Sequence, residues 1–395
     1  KRAIEIFEEL DFEEQSFVLN NLEDISISEL LTDMASDEKA KLFKNLPDRI
    51  RKKMSALLKK EDVEVVRQIT EYPEHTAGKL MSTDFITLSP QITAKHALEK
   101  IQACARLHRI VTIYAIYVLD DKNSLIGGVT LRRLISAPQD IKISKIMSPV
   151  QLIKIKATAD QEDVAKLFSK YDLTAAPVVD DGNHLIGVIT IDDVVDVIQD
   201  EATEDIAKMG GTSKKEFQSK TVFETVKIRM PWLLAAWFGG IAASWIIGRF
   251  ENTLNKVVVL AAFIPIVIGM GGNVGMQSST IVVRGIAMGQ VDLKMLWATV
   301  FRELRVGFLL GLIYGTLLGM FAHFLHGVEY RLLGMVVGFS ICVSMTLAAT
   351  TGTLMPLIFN RSGIDPAVAT GPFVTTTIDI IGVMIYFLIA TAILL

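Results

Sequence analysis

Gly371-Pro372-Phe373-Val374-Thr375-Thr376-Thr377-Ile378-Asp379-Ile380-Ile381-Gly382 opens a run that stays apolar to Leu395. Asp379 is its only charged residue, and no other Lys, Arg, Asp or Glu occurs from Pro366 to the end. The run is long enough for a helix of about 20 residues to cross the hydrocarbon of a bilayer. A carboxylate inside such a helix costs roughly 2.5–3.5 kcal/mol, so it must face water, a cation or a neighbouring helix. An ion ligand is the preferred reading, and a structural hydrogen bond to another helix is the plain one.

Working outward, four more apolar stretches lie at about 231–249, 256–289, 303–326 and 332–359. The second contains Pro265-Ile266-Val267-Ile268-Gly269-Met270-Gly271-Gly272-Asn273-Val274-Gly275-Met276-Gln277-Ser278. Its proline and clustered glycines predict a broken helix, and Asn273 and Gln277 need partners at membrane depth. Close packing through small residues is the alternative. Of 40 Lys and Arg and 44 Asp and Glu, only 14 fall from Pro231 onward. With 50% hydrophobic residues and a mean hydropathy of +0.40, the chain is a charged front half joined to a membrane half.

Basic residues orient the spans. Lys214, Lys215, Lys220, Lys227 and Arg229 precede the first, and Lys294 and Arg302 lie between the second and third, with Arg305 just beyond. The other side offers Arg249 and Lys256, then Arg331. The front half is therefore expected in the cytoplasm, and five spans put the C-terminus outside. A net charge of −4 without a concentrated basic face argues against a nucleic-acid partner. Cys104 and Cys342 lie one in each half, which argues against a structural disulfide. No phosphate-binding loop of the G-x-x-x-x-G-K-[ST] type occurs, which argues against an ATP-driven pump. No enzymatic activity and no catalytic residue are expected. Lys1 to Leu10 reads as a charged helix that starts mid-pattern, so the helical region is expected to be truncated at its start.

Residues 1–72 have apolar residues at three- and four-residue steps and repeat at a spacing of about 24. Leu10-Asp11-Phe12-Glu13-Glu14 with Asn21-Leu22-Glu23-Asp24 matches Met34-Ala35-Ser36-Asp37-Glu38 with Asn45-Leu46-Pro47-Asp48. Such units either stack as a superhelix or form ordinary amphipathic hairpins. A second repeat occupies 78–198. Leu125-Ile126-Gly127-Gly128-Val129-Thr130 aligns with Leu185-Ile186-Gly187-Val188-Ile189-Thr190, and Leu80-Met81-Ser82 with Ile146-Met147-Ser148. Each copy reads strand, helix, strand, turn, strand, helix, with Asp181-Gly182-Asn183 as a hairpin turn. This repeat resembles a tandem pair of CBS domains, which implies a regulatory module for adenine nucleotides or metal ions. The Thr-x-x-Asp that contacts ribose in nucleotide-binding pairs occurs as Thr190 and Asp193; the first copy has Thr130 and Arg133.

Asp192, Asp193, Asp196, Asp200, Glu201, Glu204 and Asp205 follow with no Lys or Arg before Lys208. On a helix, several of these carboxylates stack four apart and repel. A solvated acidic face is the bland reading; a divalent cation with oxygen ligands would relieve the repulsion. After Gly210-Gly211, residues 215–229 read as a basic amphipathic segment suited to a membrane surface.

The whole order, with the 265–277 and 375–382 motifs, resembles the MgtE family of magnesium channels and transporters. The resemblance implies a helical N domain at 1–75, a CBS pair at 76–200, a connecting (plug) helix at 201–230 and a five-helix pore domain at 231–395. The fold class is thus all-α superhelical, then α/β, then α-helical membrane. It also implies a homodimer in the bacterial plasma membrane that takes up Mg2+ under control of cytosolic Mg2+. Asp379 of each subunit would form the selectivity site with the Thr375 carbonyl, near Asn273 and Gln277. Asp193, Asp196, Glu201, Glu204 and Asp205 match regulatory Mg2+ positions, and Thr190 with Asp193 would serve ATP. Which N-domain carboxylates join them, Asp33 or Asp37 among others, stays open. The alternatives are a metal sensor without transport, or a carrier of Mn2+ or Co2+.

Overall fold

The computed structural model describes residues 2–8, 10–107, 112–149, 153–291 and 296–395. Lys1, Asp292 and Lys294 lie outside the described residues, so the part of the orientation argument that uses Lys294 has no structural counterpart. The chain divides into two compact units, residues 1–199 and 200–395.

The first unit opens with α1 (Arg2–Glu8), followed by α2 (Phe12–Asn21), α3 (Asp24–Asp33), α4 (Ser36–Asn45), α5 (Asp48–Leu57) and α6 (Lys60–Glu71). From α2 on, each helix begins 12 residues after the last, so the spacing of 24 seen in sequence is two helices. The residues that end α2 to α5 (Leu22, Met34, Leu46 and Leu58) are all extended, and their apolar side chains pack into or against the shared core. The shared core includes Leu19, Ile27, Leu31, Met54 and Ile69, all fully buried. Helices this short are marginal alone and owe their stability to that common face.

A short α7 (Ala77–Leu80) leads into the repeat. The first copy contains β1 (Phe85–Leu88), α8 (Ala94–Leu107), β2 (Thr112–Leu119), β3 (Leu125–Val129) and α9 (Leu131–Ser136). After α10 (Ile143–Ile146), β4 (Ser148–Pro149) and β5 (Ile155–Lys156), the second continues with α11 (Gln161–Tyr171), β6 (Ala175–Val179), β7 (Leu185–Thr190) and α12 (Ile191–Met209). In each copy the first strand runs parallel to the second, which pairs antiparallel with the third. Asn123 and Asn183 take left-handed conformations in the two hairpin turns, a geometry asparagine tolerates.

The two copies exchange their leading arms. Ser82 pairs with Val188 of the second copy through reciprocal 2.8 Å hydrogen bonds, and β4 pairs with β3 of the first. The exchange explains the glycine in each Leu-Ile-Gly. A Cβ on Gly187 would stand 2.5 Å from Met81 Sδ, and one on Gly127 would stand 2.7 Å from the Ser148 carbonyl.

The second unit carries α13 (Val222–Arg249), α14 (Glu251–Lys256), α15 (Leu260–Ala287), α16 (Leu296–His326), α17 (Leu333–Arg361), α18 (Pro366–Thr370) and α19 (Pro372–Leu394). Five helical segments, 28 to 31 residues long, have the length and polarity of membrane spans. The basic 215–229 segment is divided between two elements: a 3-10 turn at Lys214–Gln218, and the start of α13 at Val222, which runs on into the first span. One expectation is corrected: α15 is unbroken across Pro265 and its glycines. Pro265 sits in the second turn and costs the helix the one bond its missing N–H would make, and Gly271 and Gly275 serve close packing instead. A Cβ on Gly275 would lie 1.9 Å from Ile378 Cδ1. The break in the helical path falls at Gly371, between α18 and α19.

The α15–α17 crossing is equally tight, since a Cβ on Gly352 would meet the Gly275 carbonyl at 2.2 Å. Backbone cannot move aside as a side chain can, so overpacking, at about 1–3 kcal/mol, outweighs the roughly 1 kcal/mol that alanine gains over glycine in a helix. We expect Gly352→Ala to lower the Tm of the detergent-solubilised protein. Gly240→Ala, with nothing within 4 Å of the added carbon, should leave it unchanged or raise it. Thermal unfolding of both variants checks the sign.

Candidate metal centres

In the first unit, α4 starts against the exchanged arm. The Ser36 amide donates to Asp84 Oδ2 at 2.9 Å, and Ser36 Oγ accepts from the Thr83 amide at 2.8 Å. That arm is paired to β7, which runs into α12 and delivers Asp193. The carboxylates of Asp37, Glu38 and Asp193 thereby come together, with one oxygen of each within 4.8 Å of the others. Asp37 is 4% exposed, and its Oδ1 has no hydrogen-bond partner. Lys41 reaches Glu38 at 2.5 Å.

One ammonium among three carboxylates leaves the group short of positive charge. Burial, then the charges of Asp193 and Glu38, hold the Asp37 carboxyl well above the usual carboxylate range, against the pull of Lys41. Burial likewise raises Asp193, opposed by its hydrogen bond from Thr190. Oxygen ligands with excess negative charge and an unpartnered lone pair suit a hard divalent cation.

Thr190 and Asp193 also meet as the Thr-x-x-Asp spacing predicts: Thr190 Oγ1 donates to Asp193 Oδ2 at 2.7 Å. In the first copy, the Arg133 guanidinium donates to Ser148 Oγ at 2.8 Å. Asp196 is exposed and outside the acidic group. Glu201, Glu204 and Asp205 lie half-buried in the second unit, where Glu204 pairs with Lys208. Asp33 is likewise outside the group. Sequence reasoning named Asp37 without a partner and missed Glu38 and Lys41, because only the fold brings α4 to the start of α12.

In the second unit, Asp379 is half-buried two turns into α19. A Cβ on Gly272 of α15 would lie 3.8 Å from its Oδ1, so the carboxylate faces the glycine-rich helix. Among the described residues no cation pairs with it. Asn273 and Gln277 follow Gly272 on α15, one turn apart and exposed on this single chain. Thr375 lies four residues before Asp379 on the same face, its hydroxyl 3.3 Å from the Pro372 carbonyl. Two bonds fix α15 around these groups. Ser278 Oγ donates to the buried Glu303 at 2.9 Å, and Ser279 Oγ donates to Thr370 Oγ1 at 3.0 Å.

Three family models match the chain. These are the MgtE intracellular N domain at 1–75, the CBS domain at 77–140 and 143–200, and the MgtE divalent cation transporter domain at 264–389. A magnesium transporter MgtE of Bacillus subtilis is 32% identical over 384 residues, covering 97% of this chain and 84% of the relative. One from Thermus thermophilus is 35% identical over 332 residues, covering 83% and 72%. The chain belongs to the MgtE family of magnesium transporters. A crystal structure of the cytosolic domain of the Mg2+ channel MgtE in complex with ATP is also similar, at 32% identity and a TM-score of 0.46, covering 49% of this chain and 79% of that one. This MgtE chain is accordingly a multi-pass membrane protein with a helical N domain, a CBS pair and five apolar helices.

Cation binding at the Asp37 group requires the deprotonated carboxylates, so it must weaken as pH falls. The raised carboxyls also fix the sign for metal-free protein. Their contribution to stability is complete below the ordinary Asp range and is lost as pH rises through the elevated folded-state values. Mg2+ should restore that loss, raising the Tm of the full chain more at pH 8 than at pH 5. Asp37→Asn should raise the half-saturating Mg2+ by about tenfold, equivalent to 1.4 kcal/mol, whereas Asp196→Asn should move it less. Mg2+ titrations of thermal unfolding at the two pH values check both.

Proposed function

We propose that this chain acts as a homodimeric Mg2+ channel, which admits the ion across the bacterial plasma membrane and closes when cytosolic Mg2+ is high. The observation that carries this reading is Asp379, a carboxylate in an apolar helix with no cationic partner among the described residues. Mg2+ gives up its water reluctantly and is usually held by few carboxylates. Two Asp379 side chains facing across a twofold axis would offer doubled charge and hydrogen-bond acceptors to a hydrated ion without stripping its shell. A monovalent ion gains less from that charge, and Ca2+ carries a hydrated shell of different geometry. Asn273, Gln277 and the Thr375 carbonyl would complete the polar lining. Entry then follows the concentration gradient and an inside-negative potential, and the protein has no catalytic task.

The basic residues before α13 favour a cytoplasmic N-terminal half, and five spans then leave the C-terminus outside. On the cytosolic side, Asp37, Glu38 and Asp193 form one regulatory site, with Asp196, Glu201, Glu204 and Asp205 further along the acidic helix. Mg2+ favours closure only by binding the closed arrangement more tightly, since equal affinity shifts nothing. Thr190 and Asp193 are the residues that ATP would use in the CBS pair.

Mg2+ influx into proteoliposomes, followed with a fluorescent indicator, tests the pathway. Wild type is expected to carry Mg2+ at low Mg2+ on the cytosolic side. Asp379→Ala is expected to abolish the flux while folding and dimerisation persist. Equal flux in both would remove Asp379 from the filter. No flux in either, with Mg2+ varied on both faces, would favour a sensor without transport.

A further inference from the structure

The acidic helix ends in an ion pair that the pathway and its metal group do not use. At the C-terminus of α12, the Gly211 amide returns to the Lys208 carbonyl at 3.0 Å and the Thr212 amide to the Ala207 carbonyl at 2.9 Å. Gly211 itself is left-handed, with φ +73°. This turn stops the helix and points Lys208 at Asp365. The ammonium stands 2.5 Å from Asp365 Oδ2 and also pairs with Glu204 one turn back. Asp365 is occupied at both oxygens, because its Oδ1 accepts from the Ala367 amide at 2.8 Å and caps α18. The backbones meet as well. A Cβ on Gly371 would lie 3.4 Å from the Lys208 carbonyl, and one on Gly211 would lie 3.7 Å from Pro372 Cδ. The end of the acidic helix thus rests on the corner from which the Asp379 helix starts.

We propose that Lys208 is a tethered cation that latches the connecting helix to the Asp365–Pro372 corner of the pore helix, and that opening the pathway requires breaking this pair. The proposal rests on the channel reading above and names the contact through which its gate is held. A free divalent ion at the Asp37 group comes and goes with its concentration. The Lys208 ammonium is always present, so this joint stays closed until a force from the sensor end pulls it apart. Two further pairs tie down the segment that follows: Lys214 reaches back to Asp200 at 2.5 Å, and Arg229 of α13 holds Glu216 in the 3-10 turn.

The test is a double-mutant cycle on the full chain in proteoliposomes, with Lys208→Gln, Asp365→Asn and the double variant. Asparagine keeps a side-chain oxygen for the α18 cap, so Asp365→Asn removes the ion pair and spares the helix start. The readouts are the cytosolic Mg2+ that half-inhibits influx, and trypsin cleavage within 212–221 at saturating Mg2+. Each single variant should raise the half-inhibiting Mg2+ at least threefold and speed cleavage, and the double should add nothing to either single. A half-inhibiting concentration unchanged in both singles, or effects that multiply in the double, would overturn the latch. Should wild type itself carry no Mg2+ at any setting, the channel reading fails separately. The latch is then judged on cleavage alone, and equal rates in wild type and Lys208→Gln would end it.

Discussion

A carboxylate removed from water needs a positive charge near it, and this chain meets that need in three ways. Asp365 is paired fully within the molecule, by Lys208 on one oxygen and a helix-capping amide on the other. The Asp37 group is paired in part, with one lysine among three carboxylates and one buried oxygen unpartnered. Asp379 has no paired cation among the described residues. The degree of internal compensation ranks the three by how strongly each must respond to ions in solution. A satisfied pair is a fixed joint, a half-satisfied group reports concentration, and an unsatisfied carboxylate in an apolar helix attracts whatever cation can reach it.

Close backbone packing is what allows the least compensated of these to persist. In lipid there is no hydrophobic drive between helices, so association rests on van der Waals fit through small residues. Gly275 and Gly352 let α15 and α17 touch backbone to backbone, and Gly272 keeps the space before Asp379 clear of side chain. The stretch that looked like a helix breaker is instead the surface that brings the α15 backbone toward the carboxylate. Local propensity counts glycine against a helix; the packed membrane domain uses Gly275 and Gly352 to bring helix backbones together.

That contrast marks where the sequence was legible. The paired Leu-Ile-Gly motifs, the Asp181-Gly182-Asn183 turn and the apolar spans each carry their reason within a few residues, and the structure has them as expected. The arm exchange was hidden because Ser82 and Val188 meet only through tertiary pairing, although the matched Met-Ser and Gly positions were its trace. The 24-residue spacing was seen while its 12-residue unit was not, since alternate helices differ too much in side chains for the short period to register. Asp37 could be named but not placed. What makes it distinctive is burial against Asp193, and no spacing rule joins α4 to α12.

The same charge ranking bears on how a cytosolic signal could reach the pore. Moving a two-state gate from almost fully open to almost fully closed takes about 5.5 kcal/mol of differential binding, whereas coupling between two sites typically supplies about 1–3 kcal/mol. One Asp37-type group per chain therefore falls short, and two acting together in the proposed dimer would come close. A permanent ion pair at Lys208 changes that balance without binding anything. It biases each chain toward the closed arrangement beforehand and so lowers the metal concentration at which closure occurs, while the width of the swing still rests on differential binding. A half-compensated sensor and a fully compensated joint on one connecting helix are then complementary parts of a single switch. The first makes the gate respond to concentration, and the second shifts the concentration at which it moves.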